Sequence, residues 1–544
     1  MSLPRRRVKW RSVGAPLACA LVLLIATCAA LAAPGMSQAF APAATGSGSS
    51  APSGPRGSEG LAPQALQQAE LSDPAAATND RFGSAVALAA GTALIGASGT
   101  TVNGQPEAGA AYIFSGSGTS WSQQAALVPS DPAAINELFG ASVALFGDTA
   151  VVGAPWKTVG GQSDAGAAYV FTGSGTSWSQ QDELTGSGAL QFGDAVAISG
   201  DTVLVGADEQ SNGYQMKAGA VYVFTRSGTT WTQEAELTDP GTMDGDEFGC
   251  SVAISGDTAL IGADSAARDG IGGTVYVFTR SGTTWTQEAV LNDPDSAYDY
   301  FGCSVALSGG TALIGAWGET VDGQNQAGAA YVFTGAGASW SQQAELIDPD
   351  AAEYDSFGDT VALDGTTALV AAPWKSVGGA SGVGAAYTYT DSGTNWSPQR
   401  DLVPSDATAN EHFGDSGAVS GETALIGAPY LNTSTASVTG TAYVDGLVSP
   451  PSVSFKASKR SVKVGSKVTL SGLVRNHVAG CRSVFIERKV NGRLARLKTA
   501  TCSATGAFKW TWRTAKTGKW VLVVIYKAGA TKYSSKSVTV AVHR

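Results

Sequence analysis

Short apolar runs of four to six residues recur through the middle of the chain, each closed by a turn signal. In Phe248-Gly-Cys-Ser-Val-Ala-Ile-Ser-Gly-Asp-Thr-Ala-Leu-Ile-Gly-Ala263, two such runs, Ser251–Ser255 and Thr258–Gly262, flank Gly256-Asp257. A two-residue loop with Gly first fits a type II′ hairpin, where positive φ is open to Gly and strained for other residues. The same turn stands at Gly147-Asp148, Gly200-Asp201 and Gly421-Glu422. A variable loop follows, then a third strand of alternating pattern such as Val275-Tyr-Val-Phe278. A Gly/Ser/Thr turn and a Trp then open a fourth strand, as in Trp231-Thr-Gln-Glu-Ala-Glu-Leu237.

This unit occurs seven times. Phe-Gly pairs mark it at Phe82, Phe139, Phe192, Phe248, Phe301, Phe357 and Phe413, spaced by 57, 53, 56, 53, 56 and 56 residues. Four antiparallel strands per repeat, arranged radially, are the arithmetic of an all-β, seven-bladed β-propeller. The Trp-led strand occurs six times, at Trp121, Trp178, Trp231, Trp285, Trp340 and Trp396, and the seventh repeat ends after Tyr443 without one. Its counterpart lies at the other end, where Gln67-Gln-Ala-Glu-Leu71 matches Gln342-Gln-Ala-Glu-Leu346. The N-terminal strand is therefore expected to complete the last blade and abolish the free edge.

These features resemble the FG-GAP repeat family, known from the propeller of integrin α subunits and from bacterial secreted proteins. The resemblance rests on Phe-Gly, on the closure, and on the Gly-Ala-Pro element at Gly153-Ala-Pro155 and Gly427-Ala-Pro429, with Ala371-Ala-Pro373 as a variant. It covers residues 61–446. Integrins hold calcium in the hairpin between the first two strands through an Asp-x-Asp-x-Asp-Gly loop. Here that hairpin has two residues and at most one Asp, too few oxygens for Ca²⁺. The resemblance therefore implies the fold without the ion, and no cofactor or metal is expected.

Composition divides the chain. Residues 452–544 carry 20 Lys and Arg against the single acid Glu487, while residues 40–451 hold nine basic and 44 acidic residues. Charges of about +19 and −35 imply separate domains with separate partners. Residues 1–39 read as a signal peptide. Arg5, Arg6, Arg7, Lys9 and Arg11 precede the apolar run Leu17–Ala33, with cleavage sites at Ala30-Leu-Ala32 or Ser37-Gln-Ala39. An uncleaved anchor and a lipid anchor at Cys28 are the alternatives, and all three place the rest outside the cytoplasm. No membrane span is expected once the signal is removed. Residues 40–60 are a low-complexity linker. Seven alternating runs between Val453 and Val542 suit a small basic Ig-like β-sandwich over 452–544. Cys481 and Cys502 bracket one of its hairpins, and in an oxidising compartment they are expected to pair as a disulfide. Cys250 and Cys303 stand where other repeats carry Ser84, Ala141, Asp194, Asp359 and Asp415, which suits a small buried residue.

No catalytic constellation is visible, and the chain reads as a non-enzyme. His412, His477 and His543 are the only histidines, and no Cys/His spacing fits zinc. The acidic groups Asp244, Asp246 and Glu247, and Asp293, Asp295 and Asp299, read as solvated loops. The long loops after strands two and four share one face, the expected place for binding. Trp156, Lys157, Trp317, Trp374, Lys375 and Tyr430 start the first loop set, and two readings stand for them: ligand contact or packing between blades. The expectation is an extracellular binding or adhesion module that recognises a glycan or protein ligand on that face. Its basic domain would associate with anionic cell-envelope polymers, with no physiological nucleic-acid partner. A purely structural envelope protein is the alternative, and a propeller hydrolase or lyase a third reading that lacks an acid–base pair.

Overall fold

The computed structural model describes residues 67–544 apart from 74–76, 132, 212–214, 240, 242–243, 266–271, 294–298, 394, 432–437, 448–451, 476–482, 491–492, 504–506, 515–516, 529–530 and 535–537. The expected signal peptide, the linker, Asp295, His477 and Cys481 lie outside the described residues, so the pairing of Cys481 with Cys502 stays an expectation. Among the described residues no helix is long and apolar enough to cross a membrane.

Seven four-stranded antiparallel sheets form the propeller. Blade four, with strands Ser251–Ser255, Thr258–Ala263, Thr274–Ser281 and Thr284–Leu291 in that order, is typical. Blade seven takes Ser416–Ser420, Thr423–Ala428 and Thr441–Gly446 from the end of the repeats and Gln67–Leu71 from their beginning. Ala69 pairs with Val444, Glu70 with Tyr443 and Leu71 with Ala442, so the closure expected from the sequence is present. First strands touch those of both neighbouring blades all the way round, which closes the ring and makes them the innermost strands.

Phe-Gly explains itself in this packing. All seven Phe side chains are fully buried. Each ring lies 5.3–5.6 Å from the Tyr of its blade's third strand. Burying such a ring contributes about 2–3 kcal/mol, and tilted contacts add to it. The Gly that follows has no room for a side chain: at Gly83 (φ +90°) a Cβ would stand 2.5 Å from the Thr441 carbonyl oxygen. Between blades, Ser142, Ser251 and Ser416 hydroxyls donate to the carbonyls of Gly193, Gly302 and Gly83 at 2.7, 2.7 and 2.8 Å, the last across the closure. Cys250 and Cys303 remain thiols, with Sγ facing the carbonyls of Gly302 (4.0 Å) and Gly358 (3.6 Å). The small-residue reading of that position therefore holds. The repeat tryptophans are structural: Trp231, Trp285 and Trp396 donate Nε1–H to Gln181, Glu234 and Gln343 of the preceding blade.

The C-terminal domain is a three-stranded sheet (Ser452–Ala457, Lys467–Arg475, Ala507–Arg513) and a six-stranded one. Its core holds Val468, Leu470, Val484, Ile486, Leu522, Val524 and Val540. One of the seven alternating runs, Val462–Val474, forms two strands, Ser461–Lys463 and Lys467–Arg475, because Gly465 takes φ +84° and turns the chain between the sheets. A ninth strand, Thr531–Ser534, was not anticipated.

Candidate functional site

Two loop sets interlock on one face of the propeller. In five blades the residue before Phe-Gly donates its N–H to the loop after strand two of the preceding blade: Leu138 to Glu107, Gln191 to Asp164, Glu247 to Lys217, Ser356 to Gln326 and His412 to Gly382, at 2.8–3.1 Å. In all seven blades this residue is left-handed, with φ between 54° and 59° (Arg81, Leu138, Gln191, Glu247, Tyr300, Ser356, His412). None of them is Gly. Each conformation costs about 1–2 kcal/mol, offset in those five blades by the loop-to-loop bond. The opposite face carries two-residue hairpins, with φ near 60° at Gly147, Gly200, Gly256 and Gly421 as the turn chemistry requires. A hollow of about 460 Å³ on it is lined by Phe146, Asp201, Arg226, Asp257 and Arg280. Both arginines there are neutralised, Arg226 by Asp201 at 2.6 Å and Arg280 by Asp257 at 2.8 Å, and both bond to a Thr of the preceding blade.

Three of the six residues singled out for ligand contact do not fit that role. Lys157 is buried, paired with Asp131 and, at 3.4 Å, with Glu137. Lys375 sits 2.5 Å from Asp348 and 2.8 Å from Asp355 and also donates to the Asp350 carbonyl. Burial works to lower both lysines, but the facing carboxylates outweigh it and raise them above the ordinary range. Both are internal cations bracing two loops. Trp317 is buried and stacks on Tyr300 with centroids 4.2 Å apart and planes 17° apart. The remaining three stay on the loop side of the fold. Trp156 and Tyr430 are half-buried, and Trp374 is 41% exposed. Trp374 packs on His412 (4.1 Å between centroids), which packs on Tyr430 (5.0 Å). His412 is thus a buried, neutral spacer between two aromatics, pushed down to about 4 by burial, and not a loose loop residue.

The lysines belong to a repeated device that single-residue reading missed. An Asp shortly after strand four accepts the hydroxyl of the next blade's Tyr: Tyr112 to Asp73 (2.5 Å), Tyr276 to Asp239 (2.8 Å), Tyr387 to Asp348 (2.9 Å), Tyr169 to Asp131 and Tyr443 to Asp406 (3.3 Å each). A second acid stands two before the Gly-paired Phe: Asp80, Glu137, Asp246, Asp299, Asp355 and Glu411, all buried. The recurring Leu-x-Asp-Pro at Leu71, Leu237, Leu291 and Leu346 was the available signal. Reading Asp246, Asp293 and Asp299 as solvated is corrected by their burial. Burial together with Asp293 pushes Asp299 up to about 7. Burial, Asp293 and Glu345 push Glu319 up to about 7. Nearer the central axis, Asp208 and Asp415 are likewise pushed up to about 7, chiefly by burial.

A family model described as FG-GAP repeat matches seven times, over residues 66–114, 121–171, 178–224, 231–278, 285–333, 340–389 and 396–444. No curated protein matches the chain. Among solved structures, the chain is similar to one from a study of T-cell activation by the bacterial superantigen toxic shock syndrome toxin-1 (16% identity, 17% of this chain and 100% of that one, TM-score 0.15). It is also similar to a CARDB domain from Pyrococcus furiosus solved with two metal ions (13%, 18% and 94%, TM-score 0.14). A third is dimeric latent PorU from Porphyromonas gingivalis (11%, 63% and 31%, TM-score 0.15). At these TM-scores the likenesses define neither fold nor function.

Proposed function

The chain belongs to the FG-GAP repeat family, and from that premise we propose that it is a non-enzymatic binding module, secreted or held at the cell surface, whose looped face recognises a glycan or protein. One observation carries the reading. Among the described residues, nine large apolar side chains are exposed on the propeller, and six of them (Val128, Ile135, Met216, Tyr300, Tyr354, Trp374) stand on the two loop sets of one face. Exposed apolar groups held on rigidly braced loops favour a partner, since aromatic faces bury apolar sugar or side-chain surface with little loss of side-chain freedom. Charge narrows the partner. Lys157, Lys217, Arg226, Arg280 and Lys375 are all held by carboxylates, within a region of net charge about −35. The favoured ligand is neutral or basic, not acidic.

The C-terminal domain has the opposite bias and associates, in this reading, with anionic envelope polymers, leaving the acidic propeller repelled outward. A glycan array and a cell-surface pull-down with the secreted chain test the proposal. A ligand is expected whose binding falls at least tenfold in Trp374→Ala; capture that is indifferent to Trp374, Tyr354 and Tyr300 would overturn it.

A further inference from the structure

Blades two, five, six and seven share one arrangement of acids, and blade seven, with Asp406, Glu411 and Glu70, has Leu431 at the place that a lysine takes in blades two and six. The Asp after strand four, the acid two before Phe-Gly and an acid paired with the third-strand Tyr are Asp131, Glu137 and Glu183 in blade two. They are Asp348, Asp355 and Asp401 in blade six, and Asp293, Asp299 and Glu345 in blade five. In blades two and six a lysine ammonium lies among them. The position of that lysine in blade five is identified by two backbone bonds. Lys157 and Lys375 N–H donate to Ala154 and Ala372, and their carbonyls accept from Gly166 and Gly384. Glu319 N–H donates to Ala316, and its carbonyl accepts from Gly328. Blade five therefore carries a fourth acid where blades two and six carry a cation.

The geometry keeps the signature of a missing positive charge. Asp293, Asp299 and Glu319 each bring one carboxylate oxygen within 4.8 Å of the others. Asp299 is only 2% exposed; its Oδ1 accepts from the Phe301 N–H at 3.2 Å, while its buried Oδ2 has no donor in reach. Three acids and a lysine sum to −2, and four acids with a divalent ion sum to the same. We propose that Asp293, Asp299 and Glu319 form a divalent-cation site, in which the ion does for blade five what the lysine does for blades two and six. An all-carboxylate oxygen set suits a hard cation such as Ca²⁺, which takes oxygens at about 2.3–2.6 Å in adaptable geometry. Water would complete the shell. The site lies where those loops meet, pinned by the Gly318 N–H on the Asp299 carbonyl (3.0 Å), and it would fix the Tyr300–Trp317 stack beside it. It is separate from the two-residue hairpins of the opposite face.

Terbium luminescence tests it, with Trp317 and Tyr300 as antennae. The full chain, stripped by chelator, should give saturable Tb³⁺ emission on excitation near 280 nm, reversed by Ca²⁺, and Ca²⁺ should raise Tm. Glu319→Lys recreates the ion triad of blades two and six: emission should fall to background, and Tm in chelator should match or exceed that of the calcium-loaded parent. Glu319→Gln, which keeps the shape, should weaken Tb³⁺ at least tenfold. The parent melting identically in chelator and in millimolar Ca²⁺ would show that the acids only share protons. An undiminished calcium response in Glu319→Lys and Glu319→Gln would place the ion elsewhere. Either result overturns the proposal and leaves the ligand-binding reading untouched, because that is measured by ligand capture on Trp374 and Tyr354, which lie outside the acid cluster.

Discussion

Lys375→Met separates the two roles considered for this residue, internal brace and ligand contact. Methionine keeps the apolar stem and removes only the ammonium, which holds Asp348 at 2.5 Å and Asp355 at 2.8 Å in a nearly closed pocket. Asp348 is left with the Tyr387 hydroxyl at 2.9 Å as its remaining side-chain donor. Removing one partner of a buried pair leaves uncompensated charge and costs about 3–5 kcal/mol. Unfolding entropy of about 2.1 cal/mol/K per residue, taken over the roughly 380 residues from Gln67 to Gly446, gives about 0.8 kcal/mol/K, so Tm should fall by about 5 °C at neutral pH. Scanning calorimetry at pH 7.5 reads the effect. A variant that melts with the parent at pH 7.5 refutes the brace and restores Lys375 to the surface chemistry first expected of it.

Other outcomes follow from the same structure. Removing residues 61–72 deletes the fourth strand of blade seven, with its ladder to Thr441–Gly446 and buried Leu71, and should produce aggregation or a large fall in Tm; a truncation that melts normally would contradict closure. Asp208, Asp415 and Asp445 are held near 7 in the fold against about 4 when unfolded, so each adds stability that is complete below about pH 4 and is lost as pH rises through 7. His412, lowered to about 4, acts oppositely: its share is complete above 6.5 and lost as pH falls toward 4. With the raised acids, Asp299 and Glu319 among them, outnumbering the one lowered histidine, chelated protein should melt higher at pH 5.5 than at pH 8, and a steady fall on acidification would contradict this. Cys481 and Cys502 should be oxidised in secreted protein, closing a loop of about 20 residues worth about 3 kcal/mol, and a thiol assay on fresh protein decides it. Binding of the chain to purified cell walls through its basic domain should be strong at low salt and weaken steeply at high salt, because screening acts over about 8–10 Å near physiological ionic strength; no sedimentation with walls at low salt would remove the anchor.

Fold and site were unequally legible in the sequence. Blade number and closure could be read because repetition turns one weak pattern into seven, and Gln67-Gln-Ala-Glu-Leu71 is a copy with an evident home. The strand break at Gly465 could not, because one Gly in an alternating run is compatible with a continuous strand. Lys157 and Lys375 looked like surface chemistry because their carboxylates lie 20 to 27 residues upstream, on a different loop that only the radial packing brings beside them. Trp317 was grouped with Trp156 and Trp374 by proximity to Gly-Ala. The backbone bonds show that it occupies the place of the Pro in Gly-Ala-Pro, one position earlier, which buries it. Glu319 stands four residues after Gly315, as Lys157 does after Gly153, but nothing in the sequence says that this position lies among acids, so the acid cluster of blade five emerges only from the packing.

Comparing substitutions on the two faces tests the central claim, that recognition belongs to the looped face, most directly. Trp374→Ala and Tyr354→Ala remove exposed aromatics from the loops, while Phe146→Ala removes one from the hairpin face. Binding of the three variants and the parent to the ligand captured by the parent should show at least a tenfold loss for the first two and none for Phe146→Ala. Full binding by Trp374→Ala and Tyr354→Ala, with loss confined to Phe146→Ala, would place recognition on the opposite face and contradict the account.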